Sequence, residues 1–349
     1  MATLKEVAEL AGVSPAAASR VLNQDRNFSV SEETRNKIQK AAEELGYKGK
    51  TELYKDTAIY LPKGKIGLFL LYREVTEIED SYYQIIRLNI KNELEKNGLH
   101  VKEVFLDTME NGIQQFSEFQ GVILVGHPGI WFRASELRIM MKETSVPIIC
   151  ADFELEEGEL KADYVVNDFE SIVRKALECF WSNDYKDIGY IGTYGIEIHG
   201  SLKADRRYLA FRKMMESKGG FQEEFVWLTN YSHVKDGYEL GKKILQEKRK
   251  MPRAIFIEND NLAIGFMRAL KENKISVPSE VALIGCNDQQ AAAFVSPPLT
   301  SVKIYNDITG VMAARLLMER LMTGRKEGVK MVVPNRLVIR GTCRESKSI

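Results

Sequence analysis

The sequence is poor in the residues on which several classes of function depend. Its 349 residues include four cysteines (Cys150, Cys179, Cys286 and Cys343), widely scattered and without a CxxC pair. No disulfide framework or thiolate metal site is predicted, and the thiols suit a reducing compartment. The four histidines, His100, His127, His199 and His233, have no metal-ligand spacing. Long apolar runs are absent too: the longest, residues 66–72, falls far short of the roughly 20 residues needed to span a membrane. At the N-terminus, Glu6 and Glu9 stand where a signal peptide would have its apolar core. Neither sign of charge is in excess, with 49 Lys and Arg against 49 Asp and Glu. That balance argues against a strongly basic nucleic-acid coat or membrane binder, although it leaves room for a small local patch. No G-x-G-x-x-G, P-loop, H-E-x-x-H or G-x-S-x-G occurs, so neither an enzyme nor a cofactor is expected. What remains is an ordinary globular composition, 44% hydrophobic and 28% charged, expected as a cytoplasmic chain of two or three domains.

Residues 1–47 read as three short helices. Thr3 and Glu6 have the spacing of a capping box, and Gly12 permits a sharp helix exit. Ser14 and Pro15 open a second helix expected to run to Asn23. Ser31 caps a third, in which Thr34, Ile38, Ala41 and Leu45 mark one buried face. Two helices about a tight turn, the second crowded with small residues, form a helix-turn-helix pattern. A three-helix bundle with no nucleic acid is the alternative. Residues 1–50 carry eight basic and seven acidic side chains, yet from Ser14 to Asn23 the one charge is Arg20. The basic patch is local.

The run Thr3-Leu4-Lys5-Glu6-Val7-Ala8-Glu9-Leu10-Ala11-Gly12-Val13-Ser14, followed by Ser19-Arg20-Val21-Leu22-Asn23, resembles the DNA-binding head of the lactose/galactose repressor family. Similarity extends over nearly the whole chain and is greatest to the galactose and evolved-β-galactosidase repressor branch. The resemblance implies that Ser14, Pro15, Ala16 and Arg20 face the DNA groove, with Thr3, Ser19, Asn23, Thr34 and Tyr47 as phosphate or positioning contacts. Arg20 has the chemistry for base readout, since a guanidinium can pair bidentately with guanine. Residues 48–64 form a linker that departs from the family pattern, reading Lys48-Gly49-Lys50-Thr51-Glu52-Leu53-Tyr54-Lys55-Asp56. A minor-groove wedge at Leu53 and a flexible, unwedged linker both stay open.

Beyond the linker, apolar strand-like runs at 66–71, 101–106, 122–125, 147–150, 188–191, 254–257 and 281–285 alternate with helical stretches at 82–97, 171–182, 204–217, 235–248 and 261–273. Such alternation predicts parallel sheets covered on both faces, and the length predicts two lobes. By resemblance, the fold is a small all-α helix-turn-helix head plus an α/β two-lobed periplasmic-binding-protein-like core of doubly wound parallel sheets. The core is expected over 65–343, with one lobe from 65–170 and 305–331, the other from 171–304 and 332–343, and a short tail at 344–349.

The runs Ile257-Glu258-Asn259-Asp260-Asn261 and Val281-Ala282-Leu283-Ile284-Gly285-Cys286-Asn287-Asp288 carry the core resemblance. It implies that Arg207, Asn259 and Asn287 from one lobe and Asp152 from the other hold a sugar. A carboxylate, amides and a forked guanidinium suit adjacent hydroxyls. Arg207 has an alternative as a surface ion-pair partner. Asn259 is assigned to ligand and Asp260 to the helix cap, while Asp288 is read as ordering its loop. Tyr231 is either a stacking face for the sugar or a partly buried core residue, and Tyr72 is equally open. His199 and His233 could line the cleft or be ordinary solvated or core histidines.

The expected function is a sequence-specific repressor of a sugar operon, with galactose or a galactoside as effector. A homodimer would bind a near-palindromic double-stranded operator without contacting a membrane. A repressor needing a corepressor, or a sugar-binding protein without DNA activity, are the alternatives.

Overall fold

A computed structural model describes residues 3–22, 30–45, 47, 64–105, 116–126, 139, 141–155, 162–194, 196–198, 201–203, 205–248 and 250–344. The chain forms two compact units, Met1–Pro62 and Lys63–Ile349.

In the first unit, α1 (Leu4–Ala11), α2 (Pro15–Leu22) and α3 (Glu32–Glu44) form a small three-helix core. The capping box is present: Thr3 N donates to Glu6 Oε2 at 2.6 Å, and Glu6 N donates to Thr3 Oγ1 at 3.3 Å. Gly12 adopts φ +67°, a left-handed turn that glycine permits without a Cβ clash, and brings α2 round against α1. Val7, Ala8, Ala18, Val21, Ile38, Ala41 and Ala42 are buried. The expected face of α3 needs correction at both ends. Thr34 is half-buried, and Leu45 is 37% exposed because it lies past the last helical residue, Glu44. Ala42 instead joins Ala41 against Val7.

The second unit holds two six-stranded sheets. The first has strand order β13-β5-β4-β3-β1-β2, from β1 (Lys65–Leu70), β2 (His100–Phe105), β3 (Gly121–Val125), β4 (Ile148–Ala151), β5 (Asp163–Asn167) and β13 (Lys330–Val333), every pair parallel. The second has order β14-β12-β11-β10-β6-β9, from β6 (Ile188–Thr193), β9 (Val226–Thr229), β10 (Ala254–Ile257), β11 (Ala282–Asn287), β12 (Ser301–Ile304) and β14 (Asn335–Val338). Here β14 alone runs antiparallel, against β12. A short hairpin, β7 (Ile196–Ile198) with β8 (Ser201–Lys203), stands apart from both.

The helices of this unit are α4 (Thr76–Glu79), α5 (Tyr82–Lys96), α6 (Phe169–Ser182), α7 (Arg206–Ser217), α8 (Val234–Gln246), α9 (Asp260–Glu272) and α10 (Asn306–Thr323). Strands β5, β7, β8, β9, β12, β13 and β14 and helices α4 and α10 are additions to the elements read from the sequence. The central strands β1, β3 and β4 are buried almost throughout, as parallel strands covered on both faces should be.

The chain passes between the sheets three times, and each passage is one residue long. Asp168 separates β5 from α6, Tyr305 separates β12 from α10, and Pro334 separates β13 from β14. Two passages are tied together: Asn335 Nδ2 donates to the Asp168 carbonyl at 3.2 Å, and Lys175 Nζ donates to both oxygens of Asn335 at 2.7 Å.

Helices α8 and α9 cross at glycines. A Cβ on Gly265 would lie 1.9 Å from the Val234 carbonyl oxygen, and one on Gly237 would lie 2.1 Å from that of Leu262. Because both obstacles are backbone, neither can swing aside. Gly265→Ala is expected to push the helices apart and cost about 1–3 kcal/mol. A urea midpoint equal to that of the parent protein would refute this.

Candidate functional site

Two surfaces bear on function, one in each unit. In the head, Ser14 Oγ accepts from Ala17 N at 3.1 Å and starts α2. That helix turns Ala18 and Val21 inward. Ser14, Pro15, Ala16 and Arg20 are left exposed and Ser19 half-buried, so the residues expected to meet DNA share one outer face. Among the expected positioning residues, Thr3 is exposed, with its hydroxyl donating to Glu6 at 2.9 Å. The backbone and side-chain bonds from Thr3 hold the Glu6 carboxyl below its usual range. Thr34 shares a 2.8 Å hydroxyl bond with Ser31, and Tyr47 packs beside Val7, Ala41 and Ala42. Asn23 and Leu53 lie outside the described residues.

The second surface is built at the carboxyl ends of the parallel strands, where open α/β sheets place their ligands. From the first sheet, Asp152 follows β4 in a left-handed conformation, φ +72°, and Asn167 ends β5. Asp152 Oδ1 accepts from Tyr82 Oη at 3.0 Å and from Asn167 Nδ2 at 2.7 Å. Burial drives the Asp152 carboxyl up to about 6, against those two bonds and the Arg207 charge.

From the second sheet comes Arg207, at the start of α7. Asp205 caps this helix, accepting from Arg207 N at 2.7 Å. The guanidinium folds back on its own cap, with Nε to Asp205 Oδ1 and Nη2 to Asp205 Oδ2, both at 2.8 Å. Nη1 donates to the Glu258 carbonyl at 2.8 Å, and Nη2 also reaches Glu258 Oε1 at 3.2 Å. Burial opposes the charge on Arg207, but Asp205 and Glu258 more than offset it and keep the group cationic. The side chain is 15% exposed. It is therefore an ion-pair partner, as one alternative had it, although inside the cleft and not on the surface. Glu258 also accepts from Tyr190 Oη and from Thr193 N and Oγ1, and burial lifts its carboxyl to about 6.

Bonds between the lobes close the arrangement. Asp80, ahead of α5, accepts from Asn261 Nδ2 at 3.3 Å and from Gln289 Nε2 at 3.1 Å. His233, at the start of α8, places Nε2 2.9 Å from Glu79 Oε2 and Nδ1 3.0 Å from Asp236 Oδ2. Beside this seam, Asn167, Phe169, Arg206, Leu209 and Lys330 border an open concavity of about 430 Å³.

The expected effector residues divide. Asp152 lies within reach of the Arg207 charge, which favours its ionised form. Asn287 ends β11 at φ +107°, and its buried Oδ1 has no hydrogen-bond partner among the described residues. The helix cap is Asn259 and not Asp260. Asn259 takes the extended cap conformation, its Oδ1 accepting from Leu262 N at 2.9 Å while its Nδ2 donates to the Ser232 carbonyl. Asp260 is the first helical residue and is fully buried, accepting from Ser301 Oγ and Gln289 N, each at 2.7 Å. Tyr72 is buried with its hydroxyl on Glu77 at 2.8 Å and its ring stacked on Tyr83, so it supports the wall. Tyr231 is 63% exposed and stacks on His233; the partly buried core alternative does not hold. Asp288 bonds Arg340 at 2.6 Å and orders its loop as expected. His199 lies outside the described residues.

Asp80, Tyr82, Asn167, Asp205, Glu258 and Gln289 were not read from the sequence as site residues. Two of them had a signal: Asp205 stands two residues before Arg207 where a cap belongs, and Glu258 is the neighbour of Asn259.

Residues 3–49 match the bacterial regulatory proteins of the lacI family, and residues 177–343 match the periplasmic binding protein-like domain. The HTH-type transcriptional repressor MelR of Bacillus subtilis (strain 168) is 33% identical over 98% of this chain and 98% of its own length. The chain belongs to the LacI family. Another relative in this family is the HTH-type transcriptional regulator GalR of Streptococcus thermophilus, 32% identical over 98% of this chain and 99% of its own. The regulator CelR, solved as a cellobiose complex, shares the fold with TM-score 0.67 at 23% identity over 98% of this chain and 100% of its own. So does the lac repressor dimer bound to operator and the anti-inducer ONPF, with TM-score 0.65 at 21% identity and 98% of each chain covered. These relatives are transcriptional regulators, and this chain shares their DNA-binding head and two-sheet core. No helix among the described residues is long and apolar enough to cross a membrane.

Proposed function

We propose that this LacI-family regulator represses a sugar-utilisation operon and leaves its operator when a sugar, galactose or a galactoside, occupies the cleft. Head residues 1–47 read the DNA, residues 48–64 link them to the core, and residues 65–343 bind effector and dimerise. Two heads of a homodimer address the halves of a near-palindromic site, because a two-fold assembly presents the same helix twice. The observation that supports this reading is a seam in which Asp80 of one lobe accepts from Asn261 and Gln289 of the other, with Asp152 and Arg207 on its two sides, in a chain that also exposes Arg20 on α2. A sugar bound at such a seam changes the relative free energy of the lobe arrangements, which is the requirement for coupling to DNA.

Titrating galactose, melibiose and lactose against the full chain on labelled operator tests the direction: release is expected, and tighter binding would favour a corepressor. Arg20→Ala is expected to weaken specific operator binding by about 1–3 kcal/mol with the sugar response unchanged. Equal affinity for specific and scrambled DNA in the parent protein would overturn the reading.

A further inference from the structure

Among the described residues, the cations and amides of the seam are largely engaged by carboxylates. Four of the five N–H groups of Arg207 are engaged by Asp205 and Glu258, both oxygens of Asp205 included. No open guanidinium fork is left for the bidentate grip by which arginine holds a phosphate or carboxylate. The imidazole of His233 is likewise bracketed, by Glu79 and Asp236. Asp80 and Asp152 accept only from neutral groups: Asn261, Gln289 and the Tyr82 amide at the first, Tyr82 Oη and Asn167 at the second. Arg206 is exposed and reaches across the seam to the Glu154 carbonyl at 3.4 Å, beside Lys330, which pairs with the Glu154 carboxylate.

A second observation points the same way. Asn167 is 5% exposed, and while its Nδ2 serves Asp152 and Tyr82, its Oδ1 has no partner among the described residues. The Oδ1 of Asn287 is likewise buried without one among them. Buried acceptors left unpaired are costly and call for donors. Sugar hydroxyls supply such donors, whereas the phosphate dianion or carboxylate that replaces a hydroxyl or hydroxymethyl group in an acidic sugar only accepts, and adds a charge that the surrounding carboxylates repel.

Resting on the reading of this cleft as a sugar site, we infer that the effector is an uncharged sugar and that the carboxylates gathered round Arg207 exclude phosphorylated and acidic sugars. Asp205 is the selectivity residue: by occupying the guanidinium fork it converts an anion site into a hydroxyl site. In Asp205→Asn the amide oxygen still caps α7, while one charge is lost and one guanidinium N–H loses its acceptor.

Isothermal titration and operator release with the full chain test this on matched pairs: galactose with galactose 6-phosphate and galacturonate, and glucose with glucose 6-phosphate. Melibiose and lactose are added as neutral disaccharides. The expected result is a response to at least one neutral sugar, with any acidic counterpart at least tenfold weaker. An acidic sugar binding as tightly as its neutral partner, or more tightly, overturns the inference and leaves the sugar reading standing. No response to any member of the set overturns the sugar reading and the inference with it. Asp205→Asn is expected to narrow the neutral-to-acidic ratio by about tenfold, more at low salt than at high salt. An unchanged ratio at both salt concentrations removes Asp205 from the role.

Discussion

Arg207→Ala is expected to bind operator and to ignore every sugar that releases the parent protein. The guanidinium links the end of β10 to the cap of α7, and its charge, with that of Arg206, acts on Asp152 from the other lobe. Without it Asp205 and Glu258 lose the donor that orders them, so sugar is expected no longer to favour one lobe arrangement over the other. The head is untouched, and operator affinity should stay within about twofold. Stability should fall, because Asp205 and Glu258 are then left as like charges beside one another; removing one partner of a buried pair costs about 3–5 kcal/mol. Arg207→Lys separates the two effects. It keeps the charge and much of the stability but not the planar fork, and the sugar concentration for half-release should rise at least tenfold. Normal sugar release in both variants, read by fluorescence anisotropy on labelled operator, would remove Arg207 from the site.

Raising the pH from about 4.5 to 7.5 is expected to destabilise the sugar-free protein, and Asp260→Asn to remove much of that loss. Asp260 is fully buried, and burial lifts its carboxyl from 3.8 up to about 7 despite the bonds from Ser301 and the Gln289 amide. Between those two values the folded chain holds a proton that the unfolded chain has released. The contribution of this carboxyl is therefore greatest below about pH 4 and is lost as pH rises through the folded value. At about 1.4 kcal/mol per unit of pKa, a displacement of this size corresponds to roughly 4 kcal/mol as an upper bound. Asp152 and Glu258, each raised to about 6, act in the same direction. Asparagine keeps the acceptor for Gln289 N, and the Ser301 hydroxyl can turn to accept from the new amide. Urea midpoints of both proteins at pH 4.5, 6 and 7.5 decide the matter: parallel profiles would rule out Asp260 as a source.

What was legible in the sequence was local. The Thr3–Glu6 box, the Gly12 turn and the Ser14–Pro15 start depend on residues three or four apart, so their chemistry is written in adjacent letters. Elements without an unbroken apolar run or a single apolar stripe were harder to read. Helix α10 packs on both the sheet and α5, burying Thr309, Gly310, Ala313, Ala314, Leu316 and Leu317, so its apolar residues make no single stripe. Strand β5 begins at Asp163, whose carboxylate is fully buried and answered by Arg325 more than 160 residues later. In the cleft, the family-like runs pointed to Asp152 and Arg207, but which of Asn259 and Asp260 caps α9 turned on where that helix begins. Asp80 and Asn167 carried no local signal because their partners lie in other elements.

The three one-residue passages between the sheets also have a mechanical meaning. Chain segments that short cannot flex independently, and Pro334, with its φ fixed by the ring, stiffens one of them. Any rotation of one sheet against the other must therefore be shared by Asp168, Tyr305 and Pro334, so the direction of travel is set by the backbone and only its extent by what occupies the seam. Side chains in the seam can then differ without redirecting that rotation. The pivot is common property, and the lock can be refitted around it.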